Sequence, residues 1–113
     1  SSLSGGEVKR IEIATILARK SGLLIFDEPE AALSPMRQMA MLSRIHELTK
    51  AGSQLIIATH SPILLAYPDS LIYELTESGI HACAYEDTAH YQITKGFLNR
   101  YPAMLKELLK EEN

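Results

Sequence analysis

The sequence predicts an α/β fold in which a mainly parallel core sheet is flanked by helices. Residues 23–26 (LLIF) and 54–59 (QLIIAT) are short apolar runs bounded by turn-forming residues, which is typical of strands buried on both faces of a parallel sheet. Residues 35–50 lie between them and repeat apolar residues at helical spacing. A strand, a helix and a strand of these lengths form a βαβ unit, so we expect the two strands to be parallel neighbours or near neighbours.

Two acidic residues stand directly after the first run. Asp27 and Glu28 precede Pro29, which cannot donate to a sheet ladder and disfavours helical geometry in the residue before it, so the strand should end at the acidic pair. Open α/β sheets bind ligands beyond the carboxyl ends of their strands. One acid there is suited to holding Mg²⁺ and the other to activating water. The alternative is that the pair caps a turn or binds surface Arg or Lys.

The helix between the two strands has clear start signals. Ser34 is its expected N-cap and Pro35 its first residue. We expect this helix to bury an apolar stripe against the sheet, because its apolar residues recur every three or four positions. The stripe consists of Leu42, Ile45 and Leu48.

An earlier helix is predicted over residues 7–20, which are apolar over more than half of the helix circumference. Residues 4–7 (SGGE) then lie at a helix N-terminus, where free N–H groups and the helix dipole favour an anion. An ordinary helix start would explain the same residues. The tetrad consists of Ser4, Gly5, Gly6 and Glu7.

The second strand is expected to bring His60 to the same edge of the sheet as Asp27 and Glu28, because the carboxyl ends of parallel strands meet there. A histidine in that place can donate a hydrogen bond to a phosphate. The remaining histidines match no spacing of metal ligands, and we expect them to be ordinary polar residues. They are His46, His81 and His90.

The second half of the chain predicts a β-hairpin. Residues 71–75 and 80–85 are the two expected strands, and residues 77–79 (ESG) are the turn. Apolar and small residues alternate from Ile80 onwards, which indicates one covered face.

Two helical pieces are predicted after the hairpin, over residues 88–99 and 102–111. Asp87 is the expected cap of the first piece. The second piece is expected to bury a leucine stripe. That stripe consists of Leu105, Leu108 and Leu109.

Composition excludes several classes of protein. The 113 residues are 46% hydrophobic and 22% charged, as in an ordinary globular domain. The net charge of −3 is uneven, because residues 1–60 carry seven Lys or Arg against six Asp or Glu and residues 61–113 carry four against eight. No basic patch therefore argues for binding to a nucleic-acid backbone.

The single cysteine, Cys83, excludes an internal disulfide and fits a reducing compartment, so we expect a cytoplasmic location. No apolar run approaches the ~20 residues of a membrane span, and we find no signal peptide. The chain begins at Ser1 without Met, and a motif starts within three residues. We therefore expect a fragment of a longer protein.

Taken together, these motifs resemble the C-terminal half of an ATP-binding-cassette (ABC) ATPase, a P-loop NTPase. Residues 3–7 (LSGGE) are similar to the signature motif, residues 23–28 to Walker B with its catalytic glutamate, and residues 31–34 to the D-loop. His60 is similar to the switch histidine. Each motif is weak alone, but the four in this order are specific.

Within that family, the strings around the acidic pair and around His60 resemble most closely the stand-alone ABC/SMC-like ATPases of the AAA group. The opening helix is more similar to a cassette subunit of the transporter or iron–sulfur-assembly kind. The resemblance covers residues 1–62, which would be the core that carries the motifs. Residues 63–113 would form the hairpin and the terminal helices.

The resemblance implies a role for each matching residue. Asp27 would hold Mg²⁺, Glu28 would orient and deprotonate the attacking water, and His60 would bind the γ-phosphate of ATP. Residues 4–7 would complete the site on a nucleotide held by a second subunit, so that ATP clamps a dimer, expected to be a homodimer. Ser34 would contact nucleotide from the D-loop. Such a site catalyses phosphoryl transfer by positioning and charge stabilisation.

The sequence also departs from the family pattern. No phosphate-binding G-x-x-x-x-G-K-[ST] loop and no glutamine loop occur in these residues, so we expect ATP hydrolysis by the full-length protein and not by this piece alone. Ser34 stands where transporter cassettes usually carry Asp. Other interpretations stay open: an ATP-gated module of the SMC-like type that binds DNA or a partner, the ATP-binding subunit of a transporter, or a degenerate structural piece.

Overall fold

The computed structural model of the chain describes residues 22–110, which belong to two compact units that divide between Tyr67 and Pro68. The helix predicted over residues 7–20 and the tetrad of residues 4–7 lie outside the described residues. The elements of the first unit are β1 (Leu23–Asp27), a 3₁₀ turn (Pro29–Ala32), α1 (Pro35–Lys50), β2 (Gln54–Ala58) and a second 3₁₀ turn (Leu64–Ala66). Those of the second unit are β3 (Ile72–Thr76), β4 (Gly79–Cys83), a third 3₁₀ turn (Tyr85–Asp87) and α2 (Ala89–Leu108).

Strands β1 and β2 are parallel neighbours, which confirms the predicted βαβ unit. Their register pairs Leu23 with Gln54 and Asp27 with Ala58, so the two strands end level with each other. Helix α1 connects the two strands, so the chain returns to the amino end of the sheet before β2 begins. The described part of the first unit therefore has the α/β architecture predicted from the sequence.

Helix α1 begins and ends where its sequence signals indicate. Ser34 is the N-cap, and its hydroxyl oxygen accepts a hydrogen bond from the Arg37 backbone N–H at 3.2 Å. Pro35 follows as the first helical residue, where its missing N–H costs nothing. The helix stops at Lys50, and Gly52 turns the chain in the left-handed region with a φ of 97°.

The core of the first unit covers only one face of the sheet within the described residues. Leu24 is 1% exposed, and Ile45 of α1 and Leu64 are also buried. Ile25 and its strand neighbour Ile56 point to the opposite face, where Ile25 is 62% exposed. The expected burial of both strand faces is therefore wrong for the described residues, because α1 packs on one face.

The second unit contains the predicted hairpin with its bounds shifted by one or two residues. β3 and β4 pair antiparallel, and the register places Thr76 opposite Gly79, so a two-residue turn joins them. The expectation of a covered face on β4 is wrong. Ile80 is 67% exposed, because no element within residues 22–110 packs over this face of β4.

Helix α2 joins the two predicted helical pieces across a kink. Arg100 has non-helical dihedral angles just before Pro102, whose ring cannot fit a regular helix interior. Thr88 caps the helix instead of Asp87, which belongs to the preceding 3₁₀ turn; the Thr88 hydroxyl oxygen accepts from the Tyr91 N–H at 3.1 Å. The expected leucine stripe is not buried, because no described element lies against it. Its members Leu105, Leu108 and Leu109 are all exposed.

Candidate functional site at the carboxyl edge of the parallel sheet

The level ends of β1 and β2 form one edge of the sheet, which we call the carboxyl edge (residues 27–30 and 58–61). Asp27 lies beside Ala58 in the ladder. The Glu28 backbone N–H donates to the Ala58 carbonyl at 2.7 Å, which extends the pairing one residue beyond β1. The turn after β1 and the loop after β2 therefore leave the sheet side by side.

Three residues that the sequence singles out lie on this edge: Asp27, Glu28 and His60. Each is exposed, so a dissolved ligand can reach them. The strand register brings the acidic pair and the loop that carries His60 to the same edge of the sheet, although they are more than 30 residues apart in sequence. This is the edge at which open α/β sheets bind their ligands.

Glu28 has an unusual backbone. Its φ of 47° and ψ of 55° are left-handed, a conformation that is rare for residues other than glycine. Pro29 contributes to this, because a proline disfavours right-handed helical geometry in the residue before it. The Glu28 side chain does not cap the 3₁₀ turn that follows. Strained residues of this kind concentrate at functional sites, where the surrounding structure maintains them.

Glu30 joins the two halves of the carboxyl edge, which the sequence did not reveal. Its Oε1 accepts a hydrogen bond from the Thr59 hydroxyl at 2.6 Å. Its Oε2 accepts from the His60 backbone N–H at 2.9 Å. One carboxylate from the turn after β1 thus binds two consecutive residues of the loop after β2.

The surroundings of Glu30 keep it ionised. Burial raises the pKa of this carboxyl, because a less polar neighbourhood disfavours charge. Hydrogen bonds from Thr59, from the His60 N–H and from its own backbone act in the opposite direction, as does the charge of His60. Together they lower the pKa below its ordinary value of 4.5, so the hydrogen bonds are charge-assisted at neutral pH.

A second polar bridge starts at the buried residue Ser61. The Ser61 hydroxyl donates to Gln38 Oε1 at 2.5 Å and accepts from the Leu64 N–H at 3.1 Å. The Gln38 Nε2 donates in turn to the Leu33 carbonyl at 3.0 Å. Ser61 thereby binds the first residue of the second 3₁₀ turn and connects the loop after β2 to α1 and to the segment that precedes α1.

The carboxyl edge can supply one carboxylate ligand to a metal. Asp27 ends β1 with an exposed side chain, and Mg²⁺ in nucleotide sites is commonly bound by one or two carboxylates together with phosphate oxygens. Among residues 22–110, no group of three or more His, Cys, Asp and Glu side chains is placed to hold a metal ion. The donor chemistry of Asp27 therefore fits magnesium that is shared with a phosphate ligand.

The other predicted site residues have separate locations. Ser34 caps α1, as described above, and residues 4–7 lie outside the described part of the chain. His46 and His81 have ordinary surface partners: the His46 Nδ1 lies 2.9 Å from the Tyr67 hydroxyl, and the His81 Nε2 lies 3.0 Å from the Ser78 hydroxyl.

Comparison with known proteins agrees with this architecture. The family model described as "AAA domain, putative AbiEii toxin, Type IV TA system" matches residues 1–66. The chain belongs to this AAA-domain family. The match spans the residues on which the resemblance to ABC-type ATPases rests, and that resemblance is confirmed.

Relatives of this AAA-domain chain are named as ATP-binding proteins. It is 36% identical to a "Putative ABC transporter ATP-binding protein" of Methanothermobacter marburgensis over 98% of its own length and 41% of the relative. It is 38% identical to the "Energy-coupling factor transporter ATP-binding protein EcfA" of Methanococcus maripaludis, over 69% of the chain and 28% of that protein. The chain spans less than half the length of these curated relatives. No helix within residues 22–110 is long and apolar enough to cross a membrane.

Proposed function

We propose that the protein containing this chain binds and hydrolyses ATP as an ABC-type ATPase. In this proposal the chain supplies the signature motif, the water-activating acid and the switch histidine. The parallel pairing of β1 with β2 supports it most, because that register leads Asp27, Glu28 and His60 to one exposed edge. Membership of the AAA-domain family supports nucleotide as the ligand of that edge.

Each residue of the edge then has a distinct task. Asp27 holds Mg²⁺, which when bound neutralises charge on the phosphates. Glu28 orients the attacking water and accepts its proton, a task suited to its exposed carboxylate at a strained turn. His60 donates a hydrogen bond to the γ-phosphate, where negative charge must be stabilised.

The signature residues complete the site in a dimer. In the proposal, Ser4, Gly5, Gly6 and Glu7 meet the γ-phosphate of ATP bound to a second subunit, and the phosphate-binding loop comes from a part of the protein other than these residues. Residues 1–62 form the motif-bearing core, and residues 63–113 an appended region. Hydrolysis then loosens the clamp between the two subunits.

A transporter is the second candidate, because the names of the relatives specify transport. They include energy-coupling factor and branched-chain amino acid transport ATP-binding proteins. Ser34 does not argue against this, since its hydroxyl caps α1 and the Asp of transporter cassettes is an equally good N-cap. Recovery of a membrane-embedded subunit with the affinity-purified intact protein would favour the transporter, and ATP turnover stimulated by DNA would favour an SMC-like module.

The decisive experiment replaces the proposed base. In the intact protein, Glu28→Gln should keep ATP binding and lower kcat by about 10²-fold or more, because general-base catalysis contributes about that much. With ATP, the variant should run as a dimer in size-exclusion chromatography. Glu47→Gln is the matched control, since Glu47 is an exposed acid of α1 that pairs with Arg44. A wild-type rate for Glu28→Gln would exclude Glu28 as the base.

A further inference from the structure

Glu30 lies on the carboxyl edge but has no part in the chemistry proposed above. Both of its oxygens are occupied by donors of the loop after β2: the Thr59 hydroxyl and the His60 N–H. A carboxylate engaged in this way is poorly placed to bind water or metal as well. Its effect falls instead on the position of the loop.

The bond to His60 fixes the backbone two residues beyond the end of β2, where the sheet no longer does. β2 ends at Ala58, so the parallel ladder does not extend to His60. The carboxylate of Glu30 accepts the His60 N–H at 2.9 Å, and a charged acceptor makes this a stronger bond than a neutral one. The backbone position of a residue largely determines where its side chain can reach.

Thr59 extends the same restraint to Ser61, the residue after His60. Its hydroxyl donates to Glu30 at 2.6 Å and its oxygen accepts from the Ser61 N–H at 3.0 Å. Ser61 is in turn bound to Gln38 of α1. The three loop residues around His60 are thus held from the β1 side by Glu30 and from the helix side by Gln38.

We propose that Glu30 is a positioning residue that holds His60 where its ring can meet the γ-phosphate, with Thr59 as its partner. This rests on the proposed function, because it requires His60 to act on a phosphate. Small displacements of a positioned group can lower a rate by about 10²-fold. The residue should therefore influence kcat more than substrate binding.

The test measures ATP hydrolysis by the intact protein and its variants. Glu30→Ala should lower kcat about tenfold or more and change KM less than about twofold. Glu30→Gln should stay within about threefold of the wild type, because its amide oxygen can accept from the His60 N–H and its NH₂ can donate to the Thr59 oxygen. Thr59→Ser, which keeps the hydroxyl, should likewise have a higher kcat than Thr59→Val, which removes it.

A double variant tests whether Glu30 acts through His60. In the His60→Ala background, adding Glu30→Ala should lower kcat less than about twofold, since the group to be positioned is already absent. Melting temperatures of all variants report folding, and Glu47→Gln serves as the control. If Glu30→Ala does not fold, the Glu30→Gln and Thr59 variants still decide the question.

Three results would overturn the proposal: a wild-type kcat for Glu30→Ala, losses that multiply in the double variant, or a Glu30→Gln enzyme as slow as Glu30→Ala. The parallel measurement on Glu28→Gln separates the two levels of inference. If Glu28→Gln also hydrolyses ATP normally, the proposed function fails. If it is inactive while Glu30→Ala is normal, only the role of Glu30 fails.

Discussion

The two units of the chain use their polar side chains differently. In the first unit, Glu30 and Ser61 bind groups on other elements, 23 to 30 residues away in sequence. In the second unit, Thr88 and Ser78 mainly complete a local cap and a local turn, through contacts two or three residues away. Bonds between elements fix the geometry of an edge, as a catalytic site requires, whereas local bonds define where a helix or turn starts.

A polar bond of the second unit, between β3 and α2, resembles those of the first. The Glu74 carboxylate of β3 accepts from the Ala89 N–H at 2.7 Å, fifteen residues away. That contact satisfies a free N–H in the first turn of α2 and places negative charge at the positive end of the helix. It stabilises the start of a helix, whereas the Glu30 carboxylate stabilises the approach of two strand ends.

The apolar residues of the two units differ as well. The first unit buries Leu24 and Ile45 between sheet and helix, while the hairpin of the second exposes Leu75 and Ile80. An exposed apolar hairpin gains little free energy from its own side chains. The first unit therefore depends on packing across its elements, and we expect the second to tolerate truncation of the exposed apolar side chains of its hairpin.

The largest effect on stability should come from the core of the first unit. Leu24→Ala should lower the free energy of unfolding of the intact protein by about 2–5 kcal/mol, because it removes a fully buried side chain and leaves a cavity. Ile80→Ala, at an exposed position on β4, is the matched truncation and should cost less than about 1 kcal/mol. Urea unfolding measures both. An equal cost would show that the hairpin face is covered in the intact protein, and would remove this contrast.

A smaller loss of stability is expected when a buried hydroxyl is removed from either unit. Ser61→Ala should cost about 1–3 kcal/mol, because it leaves the Gln38 amide and the 3₁₀ turn without their partner. Thr88→Ala should cost about 1 kcal/mol, the usual value for the loss of an N-cap. Each variant is also combined with Gln38→Ala. The free-energy costs of Ser61→Ala and Gln38→Ala should not add, because the two side chains share a hydrogen bond, whereas those of Thr88→Ala and Gln38→Ala should add.

Sequence reasoning recovered the parts of this structure that depend on local chemistry. The run ending at Asp27 and the Ser34–Pro35 start of α1 are read from neighbouring residues, and both predictions are confirmed. The parallel pairing of β1 with β2 also follows from the length of the βαβ unit. These features determine which residues reach the carboxyl edge.

Sequence reasoning could not identify the residues that hold the carboxyl edge together. Nothing in the spacing of Glu30 and Thr59, or of Gln38 and Ser61, indicates contact, because the geometry is created only when β2 lies beside β1. The one available signal was a third acid, Glu30, so close to the acidic pair. Burial was likewise overestimated at Ile80 and Leu108, since a periodic pattern specifies a face and says nothing of what covers it.

The smallest effect should be a pH dependence that belongs to the first unit alone. The folded protein lowers the pKa of Glu30 below 4.5. Between that lower pKa and pH 4.5 the unfolded chain therefore binds more protons than the folded protein, and the free energy of unfolding should rise with pH. The contribution is fully present above pH 4.5 and is lost as the pH falls through the lower pKa of the folded state. Glu30→Gln removes the titrating group, so its unfolding free energy should fall less steeply below pH 4.5 than that of the wild type. Glu47→Gln, which alters an exposed pair on α1, should retain the wild-type slope. Parallel slopes for wild type and Glu30→Gln would mean that the carboxylate does not hold the two strand ends together in solution.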